Sequence, residues 1–198
     1  MTTNILFTGV GGQGTILTTK ILSTALVNMG YDVKMSEIHG MSQRGGTVNT
    51  QLKFGEKVYA PNIGEAEADI IVAFERVEAL RALPYLKKGG KIVMDEREIY
   101  SMPVLIGQAT YPHDADKVLS ELVGDVTVVP ASRIAEELGN IKVQNICLLG
   151  VLIKLLGITD LDWSALISAS VPTKMTEINI TAFNRGFNLV NATKELVV

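Results

Sequence analysis

Residues 4–14 of the chain read NILFTGVGGQG, a short apolar run that leads directly into four glycines. The apolar part, residues 4–8, predicts a short buried strand. Residues 15–29 then place apolar side chains at helical spacing, so the glycines lie between a strand and a helix. Gly30 ends this helix, and residues 31–36 predict a second strand. Residues 4–36 therefore predict one βαβ unit, whose crossover is right-handed if its strands are parallel.

The chain beyond this unit first breaks and then resumes the alternation of strand and helix. Residues 47–54 alternate polar and apolar and are followed by Gly55-Glu56 and residues 57–59, which predicts a β-hairpin inserted after the second strand. Further strands are expected at residues 69–74, 91–94, 104–106 and 126–129, the first two of them central, with a turn at residues 88–90. Helices are expected at residues 75–83, 114–122, 132–138, 144–156, 163–170 and about 181–196.

These elements predict an α/β fold that is Rossmann-like, with a mostly parallel sheet and helices on both faces. It carries the inserted β-hairpin and a helical C-terminal third. The length of 198 residues fits a single domain spanning residues 1–198. The helix predicted at residues 144–156 is apolar almost all round, and the sheet can cover only one side of it. We expect the last helix or a partner subunit to cover the rest, and we predict that the chain expressed alone self-associates or aggregates and becomes well behaved with a larger partner subunit.

Charge and cysteine content exclude several classes of function. The chain has 18 Lys and Arg against 21 Asp and Glu, a net charge of -3, with no basic stripe, so nucleic acid is not expected as a partner. Cys147 is the only cysteine, so there is no internal disulfide and no set of four thiolates for an iron–sulfur cluster. The start lacks a signal peptide, and the most apolar run, residues 146–156, is too short to span a membrane. We therefore expect a cytoplasmic protein without a membrane anchor.

Gly9, Gly11 and Gly14 form a G-x-G-x-x-G motif after a strand and at the start of a helix, where backbone N–H groups and the helix dipole favour an anion. One interpretation is dinucleotide binding, for which Glu37 is the candidate ribose ligand. A second is that the glycines only permit a tight turn and close packing. A third is that the loop, with Gly12 and Gln13, meets an anion or cofactor at a subunit interface.

A second candidate loop, residues 39–46, reads HGMSQRGG and follows the carboxyl end of a strand, where α/β sheets bind ligands. Arg44 could hold a carboxylate or phosphate in bidentate fashion. Gly45 and Gly46 allow the backbone to adopt unusual dihedral angles. The alternative is a surface loop in which Arg44 forms an ordinary salt bridge. His39 and Gln43 complete the candidate residues. Neither His39 nor His113 has metal ligands at suitable spacing, so no metal site is expected.

Five segments together closely resemble the gamma-type domain of pyruvate and other 2-oxoacid:ferredoxin oxidoreductases, over roughly residues 4–190. They are GVGGQG at 9–14, SEIHGMSQRGG at 36–46, TVNTQLKFGEKVYAP at 47–61, ADIIVAFERVEALR at 68–81 and GGKIVMDE at 89–96. Residues 39–46 resemble the indolepyruvate branch of this family, in its small beta subunit.

The resemblance implies an enzyme that decarboxylates an arylpyruvate on thiamine diphosphate, passes electrons through 4Fe-4S clusters to ferredoxin, and releases an aryl-acetyl-CoA. It implies a hetero-oligomer in which a large subunit holds thiamine diphosphate, Mg and the clusters. This chain alone would bind none of these cofactors. CoA would be a co-substrate of the complex. Residues 9–14 and 39–46 would lie near the thiamine site of the partner or the CoA entrance. From the residues alone, a self-contained nicotinamide-dependent dehydrogenase and a non-enzymatic nucleotide-binding regulatory module remain alternatives.

Overall fold

A computed structural model describes residues 2–40 and 46–190, and within these ranges it contains one six-stranded sheet. The strands are β1 (Thr2–Val10), β2 (Asp32–His39), β3 (Thr47–Gly55), β4 (Ala68–Ala73), β5 (Leu86–Asp95) and β6 (Val126–Val129). The helices are α1 (Thr15–Asn28), α2 (Arg76–Ala82), α3 (Met102–Leu105), α4 (Ala115–Val123), α5 (Ala131–Glu137), α6 (Gln144–Leu156), α7 (Trp163–Ser170) and α8 (Thr176–Leu189). None of these helices is long and apolar enough to cross a membrane.

The sheet has the order β2-β3-β1-β4-β5-β6 and is parallel except for β3, which runs antiparallel to both of its neighbours. The pairs β1–β4, β4–β5 and β5–β6 are all parallel. Strands β4 and β5 are central, as their continuous apolar sequences predict. The predicted α/β class with a mostly parallel sheet is confirmed.

The two faces of the sheet carry separate apolar clusters, because successive residues of a strand point to opposite sides. Ile5 and Phe7 of β1 belong to the larger cluster, together with side chains of α1 and of α5 to α8. Leu6 belongs to the smaller cluster, together with side chains of α2 and α4. Helices therefore cover both faces, as predicted.

Helix α6 lies in the middle of the larger cluster and is covered by α8. Its residues Gln144–Ile153 and Leu156 are all buried. The two helix backbones touch, since a Cβ atom on Gly150 would lie 2.2 Å from the carbonyl oxygen of Phe183. A Cβ atom on Gly186 would lie 1.9 Å from the carbonyl oxygen of Cys147. We expected either the last helix or a partner subunit to cover α6, and the structure shows that the last helix, α8, covers it.

The predicted hairpin has a different partner strand. Residues 56–59 form no strand; instead β3 pairs with β2, from Asp32 opposite Gly55 to His39 opposite Val48. Both edges of β3 are occupied, by β2 and β1, so residues 57–59 cannot pair with β3 as the predicted hairpin requires. Within that segment, the backbone N–H of Val58 donates to Asp32 Oδ2 at 2.9 Å. The predicted βαβ unit is changed too, because β3 lies between its two parallel strands.

Three further predictions were wrong in detail. Residues 88–90, predicted as a turn before a strand at 91–94, lie within β5. Residues 104–106 are not a strand, since α3 covers Met102–Leu105 and the N–H of Ile106 donates to the carbonyl of Met102 at 3.0 Å. Pro103 fits the first turn of a helix, which explains the helical conformation. The last helix begins at Thr176, earlier than predicted, because a 3-10 turn over Thr173–Met175 leads into it directly after Pro172.

Candidate functional site

The parallel strands end at one edge of the sheet, which we call the carboxyl edge. Strand β1 is followed by α1 and then by β2 on one side, whereas β4 lies on the other side of β1. The crevice between the ends of β1 and β4 is therefore a topological switch point, the place where open α/β sheets bind ligands. Both candidate loops begin at this edge.

The glycines of residues 9–14 are required for different reasons. A Cβ atom on Gly9 would lie 2.9 Å from Gln13 Oε1 and 3.1 Å from the Cβ of Phe74, so Gly9 permits close packing. Gly14 has a φ of +82°, and a Cβ atom there would lie 2.4 Å from Asn145 Nδ2. Gly12 has a φ of +93° in open space. The loop combines a left-handed turn with tight packing against α6.

Gln13 points into the protein. Its side chain is buried, its Oε1 accepts from the N–H of Val10 at 2.7 Å, and its Nε2 donates to the carbonyl of Phe74 at 2.7 Å. These bonds join the end of β1 to the residue that follows β4. Gln13 therefore positions the glycine loop across the crevice, and its amide is fully engaged within the chain.

Among the described residues, the two candidate loops meet through a backbone hydrogen bond, in which the N–H of Gly11 donates to the carbonyl of Gly46 at 3.1 Å. The N–H of Gly40 donates to the carbonyl of Thr47 at 2.9 Å and closes the base of the second loop. His39 is the last residue of β2. Residues 41–45, which include the candidates Gln43, Arg44 and Gly45, lie outside the described residues.

Glu37 does not occupy the position that a ribose ligand needs. It lies on β2, and β3 separates this strand from β1. Two strand spacings amount to about 9.5 Å, whereas the acidic residue of a dinucleotide site sits on the strand next to the glycine loop. The inserted strand thus moves Glu37 away from the glycines.

A cavity of about 480 Å³ opens at the switch point, between α2 and residues 99–112. Glu75, two residues after the end of β4, organises its wall. One carboxylate oxygen accepts from the N–H of Glu78 at 3.0 Å; the other accepts from the N–H of Ile99 at 3.1 Å and from the hydroxyl of Tyr111. Burial, followed by the bond to Glu75, raises the pKa of Tyr111. The phenol stays protonated and can keep donating to Glu75.

Glu78 and Arg81 of α2 lie on the same cavity and connect it to the second loop. Arg81 Nη1 donates to Glu78 Oε1 at 2.6 Å and to Thr47 Oγ1 at 3.3 Å, and Thr47 directly follows Gly46. Burial raises the pKa of the Glu78 carboxyl, while Thr47 and Arg81 lower it. The start of β3 is thereby tied to the wall of the cavity.

The glycine loop is also tied to α6 and β5. Asn145 Nδ2 donates to the carbonyl of Gly14 at 3.2 Å, and the neighbouring Gln144 accepts from Arg97 Nη1 at 2.5 Å. Asp95 ends β5 nearby; its Oδ1 accepts from the N–H and the hydroxyl of Ser132 at 3.1 and 3.0 Å. Burial raises the pKa of Asp95 to about 6, although the bonds from Ser132 lower it.

Comparison with known protein families identifies the family of this chain. The family described as pyruvate ferredoxin/flavodoxin oxidoreductase matches residues 4–189. The chain belongs to this family.

Relatives of the pyruvate ferredoxin/flavodoxin oxidoreductase family with similar sequences include two named indolepyruvate oxidoreductase subunit IorB. That of Thermococcus kodakarensis is 40% identical and that of Pyrococcus horikoshii 39% identical, each over 98% of this chain and 97% of the relative. The 2-oxoglutarate synthase subunit KorC of Methanocaldococcus jannaschii is 28% identical over 96% of this chain and 94% of its own length.

Solved structures of the family have the same fold. The keto/oxoacid ferredoxin oxidoreductase gamma subunit of Geobacter sulfurreducens superimposes with a TM-score of 0.68 at 22% identity, over 94% of this chain and 96% of its own. Pyruvate oxidoreductase subunit PORC of Thermotoga maritima gives a TM-score of 0.70 at 18% identity, with the same coverage of both chains. At these identities the likeness establishes the fold alone.

In this family member, sequence reasoning located the glycine loop but missed residues Glu75, Glu78, Arg81 and Arg97. Glu75 carried a usable signal, because an acidic residue within two positions of the end of a buried strand falls at the carboxyl edge. Arg97 follows β5 in the same way. Within residues 2–40 and 46–190, no group of three or more His, Cys, Asp and Glu side chains is arranged to hold a metal ion.

Proposed function

We propose that this chain is the small subunit of an indolepyruvate-type 2-oxoacid:ferredoxin oxidoreductase. The observation that carries the proposal is the identity of 40% and 39% to two IorB subunits, over almost the whole length of both chains. Relatives named for 2-oxoglutarate are less similar, at 28% and 27%. Residues 39–46, HGMSQRGG, agree with the indolepyruvate branch.

The reaction would convert an arylpyruvate and CoA to an aryl-acetyl-CoA and CO2, with two electrons passed to ferredoxin in the cytoplasm. The large subunit would hold thiamine diphosphate, Mg and the 4Fe-4S clusters. This division of labour suits the chain, because Cys147 is its only cysteine and is buried in the core. Burial raises the pKa of Cys147 to about 12, which keeps it from acting as a thiolate ligand.

The carboxyl edge would face the large subunit, with the glycine loop and residues 39–46 near its thiamine site or the CoA entrance. The hydrogen bond between Gly11 and Gly46 supports this proposal, because it places the two loops side by side. The cavity between α2 and residues 99–112 opens at the same edge and is large enough for part of a small molecule.

The geometry disfavours a self-contained nicotinamide-dependent dehydrogenase or a nucleotide-binding regulatory module. The N–H of Gly11 is engaged by Gly46, and Gln13 bridges the crevice that a dinucleotide would enter. Strand β3 also moves Glu37 away from the glycine loop. Isothermal titration calorimetry of the chain with NADH, FAD and CoA tests this point, and tight binding of NADH or FAD would revive these alternatives.

The decisive experiment is anaerobic co-expression of this chain with a large subunit encoded beside it, followed by an assay of dye or ferredoxin reduction. We expect CoA-dependent oxidation of indolepyruvate or phenylpyruvate, with kcat/KM at least about tenfold above that for pyruvate or 2-oxoglutarate, a difference of roughly 1.4 kcal/mol. A complex that prefers pyruvate or 2-oxoglutarate would place the chain in another branch. The chain without its partner should show no such activity.

A further inference from the structure

Arg97 differs from the other arginines within the described residues, because it has no carboxylate at salt-bridge distance there. The others are paired: Arg76 with Glu98 and Asp116, Arg81 with Glu78, Arg133 with Glu96, and Arg185 with Glu137. The recorded partner of the Arg97 guanidinium is a neutral amide oxygen, Gln144 Oε1, at 2.5 Å. Arg97 is a half-buried residue, and its guanidinium has no carboxylate in direct contact among the described residues.

Gln144 fixes the guanidinium at the carboxyl edge. The Gln144 side chain is 1% exposed, and its Nε2 donor is buried without a hydrogen-bond partner among the described residues. The amide carbon carries both Oε1 and Nε2, so this unsatisfied donor sits beside Arg97. Because the Gln144 side chain is fully buried, it has little freedom to move, and its amide oxygen holds the Arg97 guanidinium in a fixed position.

The same corner receives the positive ends of two helices. Gln144 is the first residue of α6, and the adjacent Asn145 donates to the carbonyl of Gly14 at the start of α1. Neither helix has a side-chain cap from its N-cap residue, Gly14 or Val143. The macrodipoles of these 14- and 13-residue helices add to the positive potential at Arg97.

Nearby carboxylates do not fulfil the role of counter-ion. Glu96 is paired with Arg133 at 3.1 Å, and Glu98 is held by His113, Tyr100 and Arg76. Asp95 lies within electrostatic range of Arg97 but directs its Oδ1 to Ser132. Its Oδ2 accepts no hydrogen bond among the described residues, so Asp95 acts on Arg97 through its charge alone and not through direct contact.

We propose that Arg97 binds an oxyanion, a carboxylate or phosphate group, supplied by the assembled enzyme. The inference rests on the proposed function in one respect, the existence of a large partner subunit. The planar guanidinium has donors left beyond the one given to Gln144, and it matches the two oxygens of such a group. The oxyanion could be a side-chain carboxylate of the large subunit or a group of CoA or the 2-oxoacid. Arg97 is therefore assigned as an anion-binding residue distinct from the glycine loop and from residues 39–46.

The test uses the co-expressed complex with Arg97→Gln, which removes the charge, and Arg97→Lys, which keeps the charge but loses the planar fork. Arg133→Gln is the matched control, because Arg133 lies on the same edge and its pairing partner Glu96 adjoins Arg97. Three quantities are measured for each complex: the dissociation constant of the two subunits at several NaCl concentrations, KM for CoA, and KM for the 2-oxoacid. Circular dichroism checks that each variant is folded.

We expect Arg97→Gln to raise one of these quantities at least tenfold, and Arg97→Lys to raise the same quantity about threefold or more. A weaker subunit affinity with reduced salt dependence identifies a carboxylate of the large subunit. A higher KM for CoA identifies a phosphate group, and a higher KM for the 2-oxoacid identifies the substrate carboxylate. If Arg97→Gln does not fold, Arg97→Lys decides the matter.

The inference is overturned if the folded Arg97 variants stay within twofold of Arg133→Gln in affinity and in both KM values. Failure of the proposed function would look different. A complex that assembles but oxidises no arylpyruvate contradicts the substrate assignment, yet its subunit affinity still reports on Arg97.

Discussion

Several polar side chains are buried at the carboxyl edge, and each is held by a different set of partners. Gln13 bridges the ends of β1 and β4, Glu75 organises the wall of the cavity, and Asp95 binds the start of α5. A buried polar group needs hydrogen bonds within the protein, so these residues fix local geometry. The glycines could be predicted from the motif, whereas Phe74, Ile99 and Tyr111, which bind Gln13 or Glu75, come from distant segments and leave no local signal.

Asp95 should make the stability of the chain depend on pH. Its pKa is about 6 in the folded protein, against about 3.9 when unfolded, so the folded state binds the proton more tightly. The stabilisation is fully present below pH 4 and is lost as the pH rises through 6. We expect the free energy of unfolding to fall by about 2 kcal/mol from pH 4.5 to 7.5 through this group alone.

Urea denaturation gives the free energy of unfolding of the wild type and of Asp95→Asn at pH 4.5 and at pH 7.5. The change between the two pH values in the wild type, minus the same change in the variant, is the contribution of Asp95. In the variant the amide oxygen can still accept from Ser132, but the titrating group is gone. Asp125→Asn, a change on the surface, serves as the control and should follow the wild type. An Asp95→Asn variant with the same pH dependence as the wild type would contradict the assignment.

The glycine loop allows a comparison between two substitutions of the same kind. Both glycines have a left-handed backbone conformation, which is unfavourable for alanine. Gly14→Ala would also place a Cβ atom 2.4 Å from Asn145 Nδ2, whereas the Cβ atom of Gly12→Ala would lie in open space. We expect Gly12→Ala to destabilise by about 1 kcal/mol and Gly14→Ala by at least about 2 kcal/mol more. Thermal and urea denaturation give both values, and equal losses would show that the Asn145 contact is easily displaced.

At the scale of helices and strands, the sequence predicts most elements and misses one pairing. The bounds of α6 and α7 agree with prediction, because Gly157 and Ser170-Val171-Pro172 end them with strong local signals. The place of β3 between β1 and β2 could not be predicted, since its alternating pattern identifies a strand without naming its neighbours. Residues 104–106 were misread because a short apolar run does not distinguish strand from helix.

Helix α6 provides a prediction at this scale. Leu149 and Leu152 are both 0% exposed, so a charged side chain at either position would be buried without a partner. We expect Leu149→Glu and Leu152→Glu each to destabilise by more than about 4 kcal/mol and to leave little folded protein. Leu122→Glu on α4, where the leucine is 67% exposed, is the control and should fold normally. A folded Leu149→Glu variant that has merely lost its partner subunit would instead make α6 an interface helix.

At the scale of the whole molecule, the fold supplies a scaffold with loops at one edge, and the chemistry is assigned to the proposed large subunit. We expect the purified chain alone to be colourless after anaerobic preparation and inactive in 2-oxoacid-dependent dye reduction, because a cluster needs more thiolates than Cys147. Visible absorption with iron and sulfide analysis measures this. Stoichiometric iron and sulfide in the isolated chain would refute the division of labour.

The contact between Gly150 of α6 and α8 also sets an order of events on the ribosome. Helix α6 ends at Leu156 and α8 ends at Leu189, 33 residues later, so at roughly 5–20 residues per second the apolar surface of α6 waits about 2–7 seconds for its cover. The fit between α8 and α6 is specific, because the two backbones approach so closely that Gly150 leaves no room for a Cβ atom. The nascent chain must therefore keep its most apolar helix from aggregating until the last helix has left the exit tunnel.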